Sequence, residues 1–354
     1  MQIDFHHTVT YVCARLAGFE HNEAQKIAYA AQYVDDATNS GVIKFANSGA
    51  MYNRISSAHS TYDFKNHINQ YENHLVWVPF HFLPGNGGKM AGENPQGSFI
   101  EKLVCYPDSP VANDVLDACI KDADKSYSLQ RLGITMHVFA DTFAHQGFAG
   151  VLHAINKIDN LTLLNEDQSA FDKVKAHAAN KFPMGHGPAL TSPDKPYLEW
   201  EYINDYHGKP VKRNNTEIFM NAVHNLVGHL GNYLYQVEKK TVPDEVESDY
   251  KKIEENFKTF REEDGEERHK RWLKSIADGD FSFGAQKLEY KAKGIGSWKH
   301  QAIGQDKARD EEEDKFEYSD AFLSSDWKLF HDALQAHRFD VIHDILPRYG
   351  ICAG

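Results

Sequence analysis

The chain has 354 residues, 38 Lys and Arg against 51 Asp and Glu, and a formal charge of −13. That length buries a substantial core, as one large or two modest domains, and the acidity argues against a surface built throughout to bind a polyanion. Four scattered cysteines, Cys13, Cys105, Cys119 and Cys352, form no C-x-x-C pair, so neither a zinc ribbon nor a disulfide framework is indicated and reduced thiols are expected.

The first residues, Met-Gln-Ile-Asp-Phe-His, carry neither a basic stretch nor a long apolar run, and no segment of about 18 apolar residues occurs anywhere. A cytoplasmic protein without a membrane span is expected. Phe5, Val9, Val12, Cys13 and Leu16 follow helical spacing and predict a helix over 5–18 that stops at Gly18. Asn22 as N-cap and the stripe Ile27, Ala28, Ala31 and Val34 predict a second helix over 22–38, with Asp35 on the inward stripe and Asp36 beside Tyr29 and Tyr33. The Pro-broken apolar run from Val76 to Gly85 and the Gly-rich residues after it predict loop over 75–100.

Helical spacing returns at 110–123 and from about 125 to 157. Prolines and glycines between Pro183 and Gly208 predict a second long loop over 182–210. Phe219, Val223, Leu226, Val227, Leu230 and Leu234 then mark a helix after Asn215. The densely charged stretch 241–316, with its acidic run Asp310 to Asp314, predicts exposed and partly flexible helices open to a protein partner. Apolar residues from Phe322 to Leu346 predict a C-terminal segment, 317–354, that packs back on a helical, metal-binding body spanning 1–240. Strand alternation is nearly absent, so the expectation is a mostly α multi-helix bundle with long ordered loops and a charged helical C-terminal part.

One run carries more chemistry than any other: His137-Val-Phe-Ala-Asp141-Thr-Phe-Ala-His145. On a helix, steps of four turn the side chain only about 40°, so all three project from one stripe. Two imidazoles and a carboxylate there can bind one first-row divalent ion or bridge two. His6 shares the apolar face of the first helix with Val9 and Cys13 and needs a buried partner, for which the inward Asp35 qualifies. His81, between Phe80 and Phe82, needs one too. His186 stands between Gly185 and Gly187, where backbone can approach closely, and Asp194 comes eight residues later. His7 faces elsewhere, and His331, His337 and His343 read as surface or interface residues. Gly85-Asn-Gly-Gly-Lys89 lacks the spacing of a phosphate loop, and no G-x-S-x-G or H-E-x-x-H occurs.

Taken in order, His6, Asp35, His81 and His137-x-x-x-Asp141-x-x-x-His145 resemble the zinc-dependent phospholipase C and P1 nuclease superfamily, over residues 1–205. The resemblance implies an all-α bundle holding two or three zinc ions, other divalent metals being possible. It implies phosphoester hydrolysis, with Asp141 bridging ions and His186 and Asp194 standing where the last His and acid would be. Asp35 or Asp36 would orient or deprotonate the water. The chain departs from that pattern in having Leu190 where a Glu would follow His186. It also starts at Met1, where secreted members present a processed residue whose amine binds zinc, leaving Asp4 or the Met1 amine as the replacement. The chain is similar, too, to an uncharacterised bacterial family sharing its F-H, Y-V-D-D, P-F-H-F-L-P-G and G-H-G pieces.

The expected function is therefore metal-dependent hydrolysis of a phosphoester, a small one rather than nucleic acid because of the charge. Two alternatives are a metal-stabilised helical scaffold without catalysis and an HD-type phosphohydrolase, for which only His331-Asp332 and His343-Asp344 provide the adjacent pair.

Overall fold

Helices dominate the computed structural model, which describes residues 1–59, 70–167, 175–176, 178–241, 246–305, 307, 314 and 316–352. The chain opens with a π-helical turn, Asp4–Val9, that runs into α1, Thr10–Ala17, and stops at Gly18 with φ 108°. Helix α2 spans His21–Asp36. It begins earlier than Asn22 predicts, because Glu20 and Glu23 form a reciprocal capping box that satisfies the first amides. After the hairpin β1 (Gly41–Lys44) and β2 (Met51–Arg54), helix α3 covers Gln70–Phe80, so 75–80 is not loop. Pro79 is its next-to-last residue, so the helix runs only one residue past the ring.

Short α4 (Ile100–Leu103) and α5 (Pro110–Lys121) lead to α6, Ser128–Ala144, the central helix. It ends well before residue 157. A turn region then leads into an antiparallel three-stranded sheet, β3 (Ile158–Leu163), β4 (Glu199–Asn204) and β5 (Lys209–Asn214), in the order β3-β4-β5. Part of the predicted loop 182–210 is thus strand. Trp200 and Tyr202 turn into a small core while Glu199 and Glu201 turn outward, an alternation too short to stand out beside the prolines.

Helix α7, Asn215–Glu238, starts from the side-chain cap of Asn214. Helices α8 (Glu247–Thr259) and α9 (Gly265–Asp278) send Ile253, Phe257, Trp272 and Ile276 into the same core as Phe5, Phe139 and Phe219. The described part of the charged stretch is therefore packed on the body rather than free of it, whereas most of the acidic run lies outside the described residues. Helix α10 (Trp298–Ile303) and α11 (Asp326–Phe339) surround a second core with Tyr33, Ile134 and Phe330, and the turns after them, Asp340–Ile345 and Leu346–Tyr349, return Val341, Ile345 and Leu346 to the first.

The packing of α2 against α6 places two of the predicted site residues. These helices meet at Gly133, where a Cβ would lie 2.3 Å from the Ile27 carbonyl oxygen and 2.6 Å from the Ala30 Cβ. Only a residue without a side chain permits that approach. One turn further along both helices stand Asp35 on α2 and His137 on α6.

Candidate metal centre

Five elements converge where α6 ends. The first turn contributes His6 and the Met1 amine, α2 contributes Asp35, and α6 contributes His137, Asp141 and His145. His81 comes just after α3, and the 184–194 segment brings His186 and Asp194. Asp141 lies at the middle, 1% exposed. Its Oδ1 is 2.6 Å from the Met1 nitrogen and 3.2 Å from His6 Nε2, and its Oδ2 is 3.3 Å from His137 Nε2, 3.5 Å from His81 Nδ1 and 3.7 Å from His145 Nδ1. Asp35 Oδ1 stands 3.7 Å from His81 Nδ1 and 3.9 Å from His137 Nε2. Asp194 stands 3.3 Å from the Met1 nitrogen and 3.8 Å from both His145 Nε2 and His186 Nε2.

Local structure aims each ring. His81 gives Nε2–H to the Ser57 carbonyl at 2.8 Å, His145 gives Nδ1–H to the His81 carbonyl at 2.7 Å, and His186 gives Nδ1–H to the Leu190 carbonyl at 2.8 Å. Each bond fixes which nitrogen faces the neighbouring carboxylates, Nδ1 of His81 and Nε2 of His145 and His186. His6 and His137 stack with centroids 3.8 Å apart, and Nδ1 of both has no hydrogen-bond partner. Phe82 stacks on His145, and Gly185, at φ 51°, lets the His186 segment press against Phe82, where a Cβ would lie 2.3 Å from the ring tip.

These side chains fall into three groups whose ligand atoms lie within 4.8 Å of one another: His6, His137 and Asp141; Asp35, His81 and His137; His145, His186 and Asp194. A buried gathering of lone pairs and carboxylates repels itself unless cations or protons fill it. The charge states register that demand. Burial alone would raise the Asp141 carboxyl, but His145, the Met1 ammonium, His137 and His6 hold it well below its ordinary range. Burial would likewise lower the Met1 ammonium, yet Asp141 and Asp194 raise it to about 11. Burial brings His6 and His186 down to about 4, the range of imidazoles kept neutral, as ligands must be. The donor set, imidazole nitrogen with carboxylate oxygen, is the one divalent zinc and its neighbours take.

The sequence-predicted residues do not all share this place. Asp36 turns away: its Oδ2 accepts from Tyr290 Oη at 2.6 Å and from Gln32 Nε2 at 3.2 Å, so it ties α2 to the C-terminal part and stands apart from the cluster. Asp4 also turns away, to Arg268, and the Met1 amine is the group inside. His331 and His337 are buried rather than on the surface, donating to the carbonyls of Ile55 and Pro79. Asp332 accepts from Tyr52, and His343 and Asp344 are exposed, so neither adjacent pair meets further ligands among the described residues.

Several contributors escape sequence reasoning. Trp77, Phe82 and Met184 join Met1, Asp35, Asp141 and Asp194 in lining a cavity of about 370 Å³ beside the cluster. Arg213, 3% exposed, donates to the carbonyls of Phe143, Ala144 and Gln146 and so caps the end of α6 where His145 sits. Asn215 grips the carbonyls of Ser192 and Lys195 on either side of Asp194. No spacing announces either residue, because each acts through backbone far away in sequence.

The chain belongs to a family of unknown function, DUF6765, whose profile matches residues 1–345. No curated protein and no solved structure matches it. The resemblance to the phospholipase C and P1 nuclease superfamily therefore rests on the order and spacing of the histidines and aspartates alone.

Proposed function

We propose that this protein is a metal-dependent hydrolase of small phosphoesters, working through two or three divalent ions, zinc foremost. The observation that carries the reading is the convergence of imidazoles on carboxylates, with three of the rings oriented by backbone carbonyls so that their other nitrogen faces the cluster. His6, His137 and Asp141, then Asp35 and His81, then His145, His186 and Asp194 would hold the ions. When bound, such ions polarise a phosphoryl oxygen and make water acidic enough to react at neutral pH. Asp35, the most exposed carboxylate of the cluster, orients water in the cavity and takes its proton. Trp77, Phe82 and Met184 bind the apolar part of the ester and keep bulk water out. The charge of −13 favours small esters over nucleic acid.

The test is a panel of phosphomonoesters and phosphodiesters, including a chromogenic phosphocholine ester and single-stranded nucleic acid, with zinc, manganese and magnesium supplied separately. Turnover should vanish in Asp141→Asn and His137→Ala, fall at least a hundredfold in Asp35→Asn, and survive in Asp36→Asn and His331→Ala. A second reading, structural ions in a scaffold, draws on the complete burial of His6 and His137, since closed sites are structural. Fully metallated protein without turnover on any ester would favour it.

A further inference from the structure

Among the described residues helix α9 contributes none of the candidate ligands, yet it grips the turn that carries His6 into the cluster. Arg268 is fully buried and gives Nε to Asp4 at 2.6 Å, Nη2 to Gln2 Oε1 at 2.7 Å, and Nη1 to the carbonyls of Glu262 and Glu263 at 2.6 and 3.0 Å. The next residue, His269, meets His7 Nδ1 through Nε2 at 2.8 Å. One turn earlier Gly265 lies so close to Gln2 that a Cβ would stand 2.5 Å from its Oε1 and 3.0 Å from its Cβ. One face of α9 thus holds residues 2, 4 and 7, while Met1 and His6, interleaved with them, point the other way into the cluster.

We propose that α9 is a clamp on the start of the chain and that Arg268 is a positioning residue for the Met1 amine and His6. The first residues of a chain fray unless tied down, and a planar guanidinium that bridges two side-chain acceptors ties them in one orientation. Without it Asp4 is a buried carboxylate lacking its cation and moves toward water, drawing Met1 away from Asp141 and Asp194. Lysine offers a point charge and no fork, so it restores the ion pair to Asp4 but not the bond to Gln2.

The test uses the full chain and two readouts, one of which is independent of the proposed metal binding. An amine-selective acylating reagent near neutral pH, with mass spectrometry of the first peptide, reports whether the Met1 amine is sheltered. Cobalt(II), with its absorption spectrum, reports the ligand set. Wild type should be protected, and Arg268→Met should label at least tenfold faster and bind cobalt at least tenfold more weakly with an altered spectrum. Arg268→Lys should fall between. Gln2→Ala keeps the buried ion pair, folds, and should label several-fold faster; it decides the matter if Arg268→Met does not fold. A wild-type amine as reactive as an exposed one, or protection unchanged in both Arg268→Met and Gln2→Ala, overturns the clamp. Wild type that takes up no cobalt counts against the metal reading, and the labelling then decides the clamp.

Discussion

Replacing Gly133 by alanine tests whether the approach of α2 and α6 is what builds the site. The added methyl would meet the Ile27 carbonyl at 2.3 Å, the Ala30 Cβ at 2.6 Å and the Ala31 amide at 3.1 Å, and two of those three atoms are backbone. Ordinary contacts need roughly 3.5 Å, so the helices must part by about 1 Å. Overpacking costs typically ~1–3 kcal/mol, and backbone that cannot rotate aside puts this case at the upper end. Against it stands the helix-propensity gain of Gly→Ala, about 1 kcal/mol, for a net loss of roughly 2 kcal/mol. Gly228 on α7 is the control: it is exposed and a Cβ there meets nothing within 4 Å, so the same substitution keeps only the gain. With an unfolding entropy of about 2.1 cal/mol/K per residue, roughly 0.7 kcal/mol/K for this chain, Tm should fall by about 3 °C in Gly133→Ala and rise by about 1 °C in Gly228→Ala. Thermal unfolding followed by circular dichroism measures both, and metal per chain should drop in the first alone, because Asp35 retreats from His137. Shifts of the same sign, or an unchanged Gly133→Ala, would refute the reasoning.

Metal per chain by elemental analysis should be at least two in wild type and lower by at least one in Asp141→Asn; fewer than one in wild type would end the metal reading. Chelation should lower Tm by about 5 °C for each ion removed, since an ion held at a thousand times its Kd contributes about 4.1 kcal/mol, and an unchanged curve after confirmed removal would mean a peripheral site. Burial, and after it the nearby Arg54, lowers the His331 imidazole to about 3, against about 6.5 in the unfolded chain. The unfolded state thus takes a proton that the folded state refuses, so this contribution is complete above pH 6.5 and lost as pH falls from there toward 3. Asparagine keeps a donor for the Ile55 carbonyl without titrating, so the stability lost between pH 7 and pH 5 should be smaller by about 2 kcal/mol in His331→Asn; equal losses in denaturant titrations would contradict it.

Where a helix has one wet face and one buried face, the sequence reads plainly: α5 and α7 fall where their apolar stripes put them. The same periodicity aligns His137, Asp141 and His145 before any fold is known. Periodicity cannot say which of two adjacent carboxylates turns inward once a neighbouring tyrosine competes, and Tyr290 claims Asp36 from a helix-free segment far along the chain. In α8 and α9 charge conceals burial, because a few large residues, Phe257 and Trp272 among them, do the packing while Arg268 and Asp249 are themselves buried. Pro79 hides the end of α3 because prolines are read as helix breakers, and here the helix does stop one residue after the ring.

The grip of Arg268 on Asp4 joins positions 264 apart, so order of synthesis becomes order of assembly. At roughly 5–20 residues per second, between ten seconds and a minute separates the emergence of the first turn from that of the helix that secures it. Throughout that interval His6 and the leading amine belong to a nascent chain whose imidazoles and carboxylates lie open to the surrounding solution. An ion taken up then, on the proposed reading, would meet loose ligands, whereas one taken up after release would meet the finished cluster. Under the proposed metal reading, translation speed and ion supply would be coupled in the yield of correctly filled protein.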